Sequence, residues 1–573
     1  MLSSPPMPSL RMDSAAAAAL RMTLAALLAL AIAAGLGIHH PWWAAMTVWL
    51  VAQPTRGLLL ERGLARLAGT ALGALVGALI LRGFGGDPAL LLAAIACWLA
   101  LCAGLGSMFR HFRNYGVVLA GYTAAIVVLF GFDDGALDAG LALDRVVCTV
   151  LGIVCVTLAS IHGVPAARGE NAAVRLDALQ RCCLARVEAH LRGAEPAPPG
   201  PVIAGIGALD QAIDVDLAGS LSGRRVALRM RRVCALLLEL VALTLRPGAI
   251  ASGLPAMAES ADDRLAVLSR HALAVEQPAL ADALDELRQA RRGPDAALLD
   301  ARVLDIDLAA MLRAALRPAL ALAIAGALWW STGWQMGAMM AMTAALFASL
   351  FSSNDQGNQA LIHVLIGSLL GAVAGVGTRL LLPHADGLPS VLLCIAPVLL
   401  LGAWLMQRPA TAKMAIDLNM TFLLTAQPGL PPVLAAVALH QAAGIIAGVL
   451  VAVATFWLIL PANPKERRRL LTRRIARLGR RLEQAPDVAA AACAHRGLRA
   501  AQLRLLACTD PAREPADALH CLAWARRVLT RRRLLANAAI PRSKTGAAVA
   551  AHAESVCLHP TKDNIDEQEP RPK

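Results

Sequence analysis

The stretch MTVWLVAQPTRGLLLERGLARLAGTALGALVGALILRGF, Met46–Phe84, decides what kind of fold this chain can have. An apolar run ends at Gln53-Pro54, an arginine-containing segment follows, and a second apolar run then carries glycines at every fourth position. Proline cannot continue a helical hydrogen-bond ladder, and glycines spaced by four let another helix backbone approach closely. The stretch therefore predicts a short helix, a break, and a long helix packed tightly against a neighbour.

Composition indicates a membrane protein with many spans. Of its 573 residues, 57% are hydrophobic and 16% are charged, whereas soluble domains average about 25% charged residues. Runs of about 18 or more apolar residues indicate membrane helices. Runs of this kind, some of them shorter, recur along the chain: Ala15–Ile38, Leu64–Leu81, Ala89–Met108, Gly116–Phe132, Val146–Ile161, Pro318–Trp330, Leu361–Leu382, Ser390–Met406 and Val433–Leu460.

The positive charge is concentrated at the C-terminal end. The net charge is +14, and residues 461–573 hold 23 Lys/Arg against 11 Asp/Glu. Basic residues beside a membrane helix mark the cytoplasmic face and favour anionic headgroups, so we expect no nucleic-acid partner. None of the 12 cysteines stands at Cys-x-x-Cys or Cys/His ligand spacing, so neither disulfides nor a bound metal is expected.

Charge also predicts the orientation and the domain boundaries. Arginines alternate with acidic residues in successive connections between the apolar runs, which places both termini in the cytoplasm. We expect a cytoplasmic N-terminus, a first transmembrane block, a helical cytoplasmic domain, a second transmembrane block, a basic helical cytoplasmic region and a disordered tail. Their predicted boundaries are 1–19, 20–163, 164–313, 314–460, 461–540 and 541–573.

The two blocks resemble each other. RLAGTALGALVGAL, Arg66–Leu79, aligns with VLIGSLLGAVAGVG, Val364–Gly377. The alignment superposes two glycine ladders, to which we assign helix packing: Gly69, Gly73 and Gly77 over Gly367, Gly371 and Gly375. The predicted fold is all-α, a polytopic inner-membrane protein with two parallel repeats of about six transmembrane helices plus helical cytoplasmic segments.

The ordered motifs resemble those of a known family. The pattern W-x-x-MT-x-W-x-V-x-QP…R-x-x-GT-x-x-G, together with RNYGVVLAGYTAAIVVL (Arg113–Leu129) and LDRVVCTVLGIVCV (Leu143–Val156), is similar to the fusaric acid resistance (FUSC) family. Within that family, the aromatic acid exporter group is most similar. The resemblance covers residues 20–460 and implies an exporter of aromatic carboxylic acids. The second repeat departs at Val364, where the first repeat has Arg66.

Polar residues inside predicted spans are the candidate working residues, because such groups are costly in a bilayer. We assign substrate binding to Arg66, Arg145, Tyr122 and Thr123. We assign proton coupling to Asp417 and Asp144, and the resemblance implies an acidic–basic pair of Asp144 with Arg145. An internal ion pair or an interhelical hydrogen bond is the alternative role for each. No catalytic group is predicted.

The sequence thus predicts a bacterial inner-membrane exporter of small organic anions, driven by the proton gradient, with no cofactor. Its expected partners are the lipid bilayer, a small aromatic or organic acid and, as related pumps imply, a periplasmic membrane-fusion adaptor; a homo-oligomer is left open. Two alternatives are a passive organic-anion channel and an envelope scaffold with a cytoplasmic interaction domain. A membrane-embedded enzyme is not expected, because no convergent Asp/His or Asp/Asp groups stand at one interface.

Overall fold

The computed structural model describes residues 12–53, 55–109, 112–133, 139–161, 169–217, 221–245, 260–292, 308–352, 357–384, 387–428, 435–460, 464–507 and 516–539. The chain divides into two compact units. The first comprises residues 1–169, 214–224 and 304–464, and the second comprises 170–213, 225–303 and 465–573. Helices make up both units, and no strand occurs within the described ranges.

The first unit contains two blocks of six helices. The first block consists of α1 (Met12–Gly35), α2 (Trp42–Val51), α3 (Arg56–Phe84), α4 (Pro88–Met108), α5 (Phe112–Asp133) and α6 (Ala139–Ser160). The second consists of α12 (Leu308–Thr332), α13 (Gly337–Phe351), α14 (Gly357–Leu381), α15 (Gly387–Met406), α16 (Ala412–Ala426) and α17 (Ala435–Ala454), which continues as a π-helical turn, Thr455–Ile459.

Nine of these helices, among the described residues, are long and apolar enough to cross a bilayer. The prediction of an all-α polytopic membrane protein is therefore confirmed. Helices α2, α13 and α16 are shorter, with 10, 15 and 15 residues. The apolar run Leu64–Leu81 lies inside a longer helix. Helix α3 begins at Arg56, because the Leu58 N–H donates to the Thr55 hydroxyl at 3.4 Å and caps it.

Equivalent helices pack in the same way in both blocks. Helix α3 packs on α5 as α14 packs on α16, and α2 packs on α6 as α13 packs on α17. The contacts between the blocks also repeat. Helix α4 packs on α12, and the equivalent contact is that of α15 with α1. Helix α5 packs on α13, and the equivalent contact is that of α16 with α2. The sequence repeat is thus a structural repeat, with α1–α6 equivalent to α12–α17.

The two glycine ladders lie where backbones approach most closely. A Cβ atom on Gly73 would lie 2.5 Å from the Ala120 carbonyl oxygen of α5. A Cβ atom on Gly371 would lie 2.5 Å from the Leu418 carbonyl oxygen of α16. The shift along the chain that carries Gly73 to Gly371 also carries Ala120 to Leu418, so both ladders make the same contact. No larger side chain fits at these positions without moving a helix.

The second unit is built from the middle segment and the C-terminal region together. Its helices are α7 (Gly169–Leu191), most of α8 (Gly200–Asp216), α9 (Leu221–Leu243), α10 (Ala261–Ala274), α11 (Pro278–Arg292), α18 (Pro464–Glu483), α19 (Val488–Ala507) and α20 (Ala516–Ala539). Helix α11 buries Leu280, Leu284 and Leu287 on one side, as an amphipathic helix requires, whereas α9 is buried all round over residues 236–241.

A buried charge cluster joins α9 and α11 to α19 and α20. Glu239 of α9 is fully buried, with His495 Nε2 at 2.6 Å and Arg526 Nη1 at 3.8 Å. Arg526 also contacts Glu286 of α11 at 2.7 Å. Burial alone would raise the pKa of Glu239, but Arg526, His495 and Arg499 outweigh it and lower the pKa to about 2. The C-terminal helices therefore neutralise acids of the middle segment.

The glycine contacts predict the effect of a bulky side chain on folding. We expect Gly73→Leu to lower the yield of folded protein in membranes several-fold, because the new side chain meets the α5 backbone. Gly83→Leu is the control: it lies on the same helix, and nothing surrounds its Cβ position within 4 Å. Fluorescence-detected size-exclusion chromatography measures the yield, and equal yields for the two variants would contradict the packing.

The depressed pKa of Glu239 predicts acid sensitivity in the second unit. The ionised carboxylate stabilises the fold above its ordinary pKa of 4.5, and this contribution is lost as the pH falls towards 2. Glu239→Gln should lower the free energy of unfolding of the second unit by about 3–5 kcal/mol at pH 7, because it leaves Arg526 partly unpaired. The difference from wild type should shrink below pH 4.5.

Hydrogen exchange in α9 and α19 of the full-length protein measures this effect. Glu195→Gln, which removes an exposed carboxylate, serves as the control. If the amides of α9 and α19 exchanged as slowly in Glu239→Gln as in the control at pH 7, the buried cluster would not contribute to the stability of the second unit.

Candidate anion-binding site between the helices of the first block

Arg66 lies inside the first block rather than in lipid. It precedes Gly69 by three residues on α3, so it shares the face that packs on α5. Its side chain is 1% exposed. Its Nη1 donates to the Tyr115 hydroxyl of α5 at 2.8 Å, and its Nη2 donates to the Thr47 hydroxyl of α2 at 3.4 Å. Arg66 therefore ties three helices together.

Both tyrosines of the chain lie near the guanidinium of Arg66. Tyr115 and Tyr122 are seven residues apart on α5 and so share one face. Both phenols are electrostatic neighbours of Arg66. The guanidinium of Arg62 lies 4.9 Å from the centre of the Tyr115 ring. Sequence reasoning selected Tyr122 and missed Tyr115 and Thr47, although the spacing of the two tyrosines was a signal for the first.

Arg145 of α6 is buried, and no described residue forms a hydrogen bond with its guanidinium. Its side chain is 5% exposed, and its guanidinium stacks over Trp43 of α2, 4.6 Å from the ring centre. His40 stacks on Trp43 at 4.6 Å with an interplanar angle of 11°. Because ion pairs and hydrogen bonds to Arg145 do not occur within the described ranges, Trp43 is the group that fixes its position.

Arg145 and Arg66 are electrostatic neighbours, and their other strong neighbours include Tyr115 and Tyr122. In the part of the chain that the structure describes, no carboxylate lies within ion-pair distance of either guanidinium. Two buried cations thus share one region, and no carboxylate among the described side chains neutralises them. A buried, unneutralised charge is costly, and an anion from outside the protein would relieve that cost.

The structure separates the other predicted residues from this pair. The resemblance implied a pair of Asp144 with Arg145, and the structure does not show it. The carboxylate of Asp144 instead lies 3.5 Å from Nδ1 of His39, which is largely exposed. Neighbouring helical residues point about 100° apart, which explains the separation. Thr123 is fully buried and packs towards Gly73, without a hydrogen bond to either arginine.

Asp417 lies in the second block, on α16. Its side chain is 3% exposed, and the Ser368 hydroxyl of α14 donates to its Oδ2 at 2.6 Å. Lys413, one turn earlier, is exposed, and no ion pair joins it to Asp417 among the described residues. The repeat makes Asp417 equivalent to Leu119, and Val364 equivalent to Arg66. The two blocks therefore place opposite charges on equivalent helix pairs.

Comparison with known proteins gives the family. The sequence profile described as "Fusaric acid resistance protein family" matches residues 15–301 and 248–558. The chain is 34% identical over 149 residues to the p-hydroxybenzoic acid efflux pump subunit AaeB of Edwardsiella ictaluri, covering 24% of this chain and 23% of the relative. It is 33% identical over 181 residues to the same subunit of Edwardsiella tarda, covering 29% and 28%.

A third relative is named "Uncharacterized transporter YdhK" of Escherichia coli K12, 35% identical over 140 residues, covering 24% of this chain and 21% of the relative. The chain thus spans about a quarter of the length of the curated relatives it matches. No solved structure matches the chain. Because the family profile matches both membrane blocks, the chain belongs to the fusaric acid resistance protein family.

Proposed function

We propose that this protein exports small aromatic carboxylate anions across the bacterial inner membrane, and that Arg145 and Arg66 bind the carboxylate. The proposal rests on the two buried guanidiniums of Arg66 and Arg145, which form no ion pair with any carboxylate in the described part of the chain. Membership of the family and the efflux relatives support it. The substrate class follows that of these relatives, which are p-hydroxybenzoic acid efflux pump subunits.

The two arginines have different roles in this proposal. Arg66 already donates to Tyr115 and Thr47, so an entering anion must compete with these hydroxyl groups. Arg145 stacks on Trp43 and keeps its N–H groups for a ligand. A guanidinium holds a carboxylate through two parallel hydrogen bonds, which makes Arg145 the first contact. The phenol of Tyr122 and the hydroxyl of Thr123 complete the polar lining that we propose for the path.

The short helix α2 positions both cations. Trp43 and Thr47 are four residues apart and share one face, and they contact Arg145 and Arg66 respectively. Helix α2 is almost wholly buried, and its equivalent α13 is also short and buried. Short helices at equivalent positions of two repeats commonly mark a transporter's binding site, which supports this location.

We propose Asp417 as the proton-coupling group. It is a buried carboxyl group that accepts a hydrogen bond from Ser368. Lys413 is exposed and forms no ion pair with it among the described residues. Gain and loss of a proton there changes the charge of the bundle by one unit, which proton-driven export requires. Asp144 is the weaker candidate for this role, because its partner His39 is exposed.

The orientation and the partners are further parts of the proposal. The arginine-rich connections favour cytoplasmic termini and a cytoplasmic second unit. A reporter fused after Gly200 that is active only in the periplasm would contradict this orientation. The relatives are named as a pump subunit, which supports a further chain, and we propose a periplasmic adaptor for that part.

A passive anion channel is the second candidate function. Two buried cations in one region, with no ion-pair partner among the described residues, also suit anion conduction, which requires no energy source. The two candidates differ in whether Asp417 is needed for transport against a gradient.

Loss of the free guanidinium should weaken transport. We expect Arg145→Gln to reduce export of p-hydroxybenzoate at least tenfold while folded yield is kept, because a charge-assisted hydrogen bond contributes about 1.5–3 kcal/mol. Arg82→Gln, which removes an exposed arginine from α3, is the control. Export of radiolabelled acid from cells measures the effect, and an Arg145→Gln protein as active as the control would remove Arg145 from the substrate path.

Asp417→Asn keeps the shape of the side chain but cannot carry a proton. In proteoliposomes we expect it to equilibrate substrate at the wild-type rate and to lose accumulation against a gradient. Ser368→Ala is the matched control, since it removes the hydrogen bond and keeps the carboxyl group. If Asp417→Asn accumulated substrate as wild type does, Asp417 would not be the proton-coupling group. If the wild-type protein itself did not accumulate substrate against a gradient, the passive channel would be favoured.

A further inference from the structure

Helix α18 follows the last membrane helix directly and has two chemically distinct faces. Its apolar face is used inside the second unit: Leu471, Ile475 and Leu482 are buried. A Cβ atom on Gly479 would lie 3.4 Å from the Trp524 ring of α20, so α18 packs closely there. The apolar face is therefore not free to enter a membrane.

The opposite face of α18 carries a stripe of arginines. Arg469, Arg473, Arg477 and Arg481 recur every four residues and are all exposed. Arg468 and Arg480 are exposed beside them. No acidic side chain forms an ion pair with this stripe in the ranges that the structure describes. Like charges at a spacing of four repel one another along a helix, and no described acidic side chain compensates them.

The positive potential extends beyond the stripe. Partial burial and the like charges of Arg504, Arg477 and Arg481 lower the pKa of Arg474 to about 10. Arg504 belongs to α19, so two helices contribute to one cationic surface. A surface of this kind attracts a polyanion.

We propose that the arginine stripe of α18 binds the anionic phosphate headgroups of the bilayer in which the protein lies. Four residues separate the π-helical turn ending at Ile459 from Pro464, where α18 begins. A connection of that length spans at most about 18 Å, which keeps the first turn of α18 close to the headgroups. Four to eight basic residues beside a membrane helix are typical of anionic lipid recognition.

The binding is adsorption rather than insertion, because over residues 468–483 the exposed face of α18 is charged. Amphipathic helices that insert use an exposed apolar face, which α18 lacks. The association should therefore depend on headgroup charge and weaken as salt is raised. It does not depend on transport of any substrate.

The test uses the full chain in neutral detergent with added phosphatidylglycerol or phosphatidylcholine, and native mass spectrometry counts the lipids retained. We expect wild type to retain phosphatidylglycerol at least tenfold more strongly than phosphatidylcholine. Replacing Arg469, Arg473, Arg477 and Arg481 with Gln should abolish most of that preference. High salt should do the same in the wild-type protein.

A second set of substitutions controls for net charge. Replacing Arg175, Arg181, Arg225 and Arg229 with Gln also removes four exposed charges from the second unit, at other places. This variant should keep the wild-type preference. Equal losses in the two variants, or no preference in wild type, would overturn the proposal. So would stripe-dependent binding of a single-stranded oligonucleotide that is tighter than binding of phosphatidylglycerol.

Discussion

The close approach of α3 to α5, and of α14 to α16, is the constraint on which the membrane region depends. At Gly73 and Gly371 the neighbouring backbone leaves no room for a side chain. Lipid provides no hydrophobic drive for helix association, so this tight packing is what holds the pairs together. It also brings Arg66 against Tyr115 in the first block and Asp417 against Ser368 in the second.

The repeat has kept its packing and changed its charges. Arg66 is equivalent to Val364, and Asp417 is equivalent to Leu119, while the glycines between them are retained in both ladders. Packing must be satisfied in each block for the bundle to form, whereas a charge is needed only where chemistry uses it. One scaffold can therefore carry cations on one helix pair and a carboxyl group on the equivalent pair.

The second unit is held together by a different interaction. Glu239 and Glu286 belong to the middle segment, and Arg526 and His495 belong to the C-terminal helices. Removing one partner would leave a charge buried and unpaired, so the two segments depend on each other. The arginines of the C-terminal region thus fall into two groups. Some neutralise buried acids, and those of the stripe on α18 lie on the surface.

The sequence alone determined the membrane class, the two blocks and the glycine ladders that pack helices, because composition and helical spacing are local properties. It did not predict that α3 starts at Arg56, since apolarity marks the span and not the capped helix end at Thr55. Nor did it predict that Trp43 holds Arg145 while Asp144 turns to His39. Helical periodicity fixes which residues share a face, but which helix meets that face depends on contacts between residues far apart in the chain. Only the tertiary structure decides those contacts, because they follow from the packing of the whole bundle.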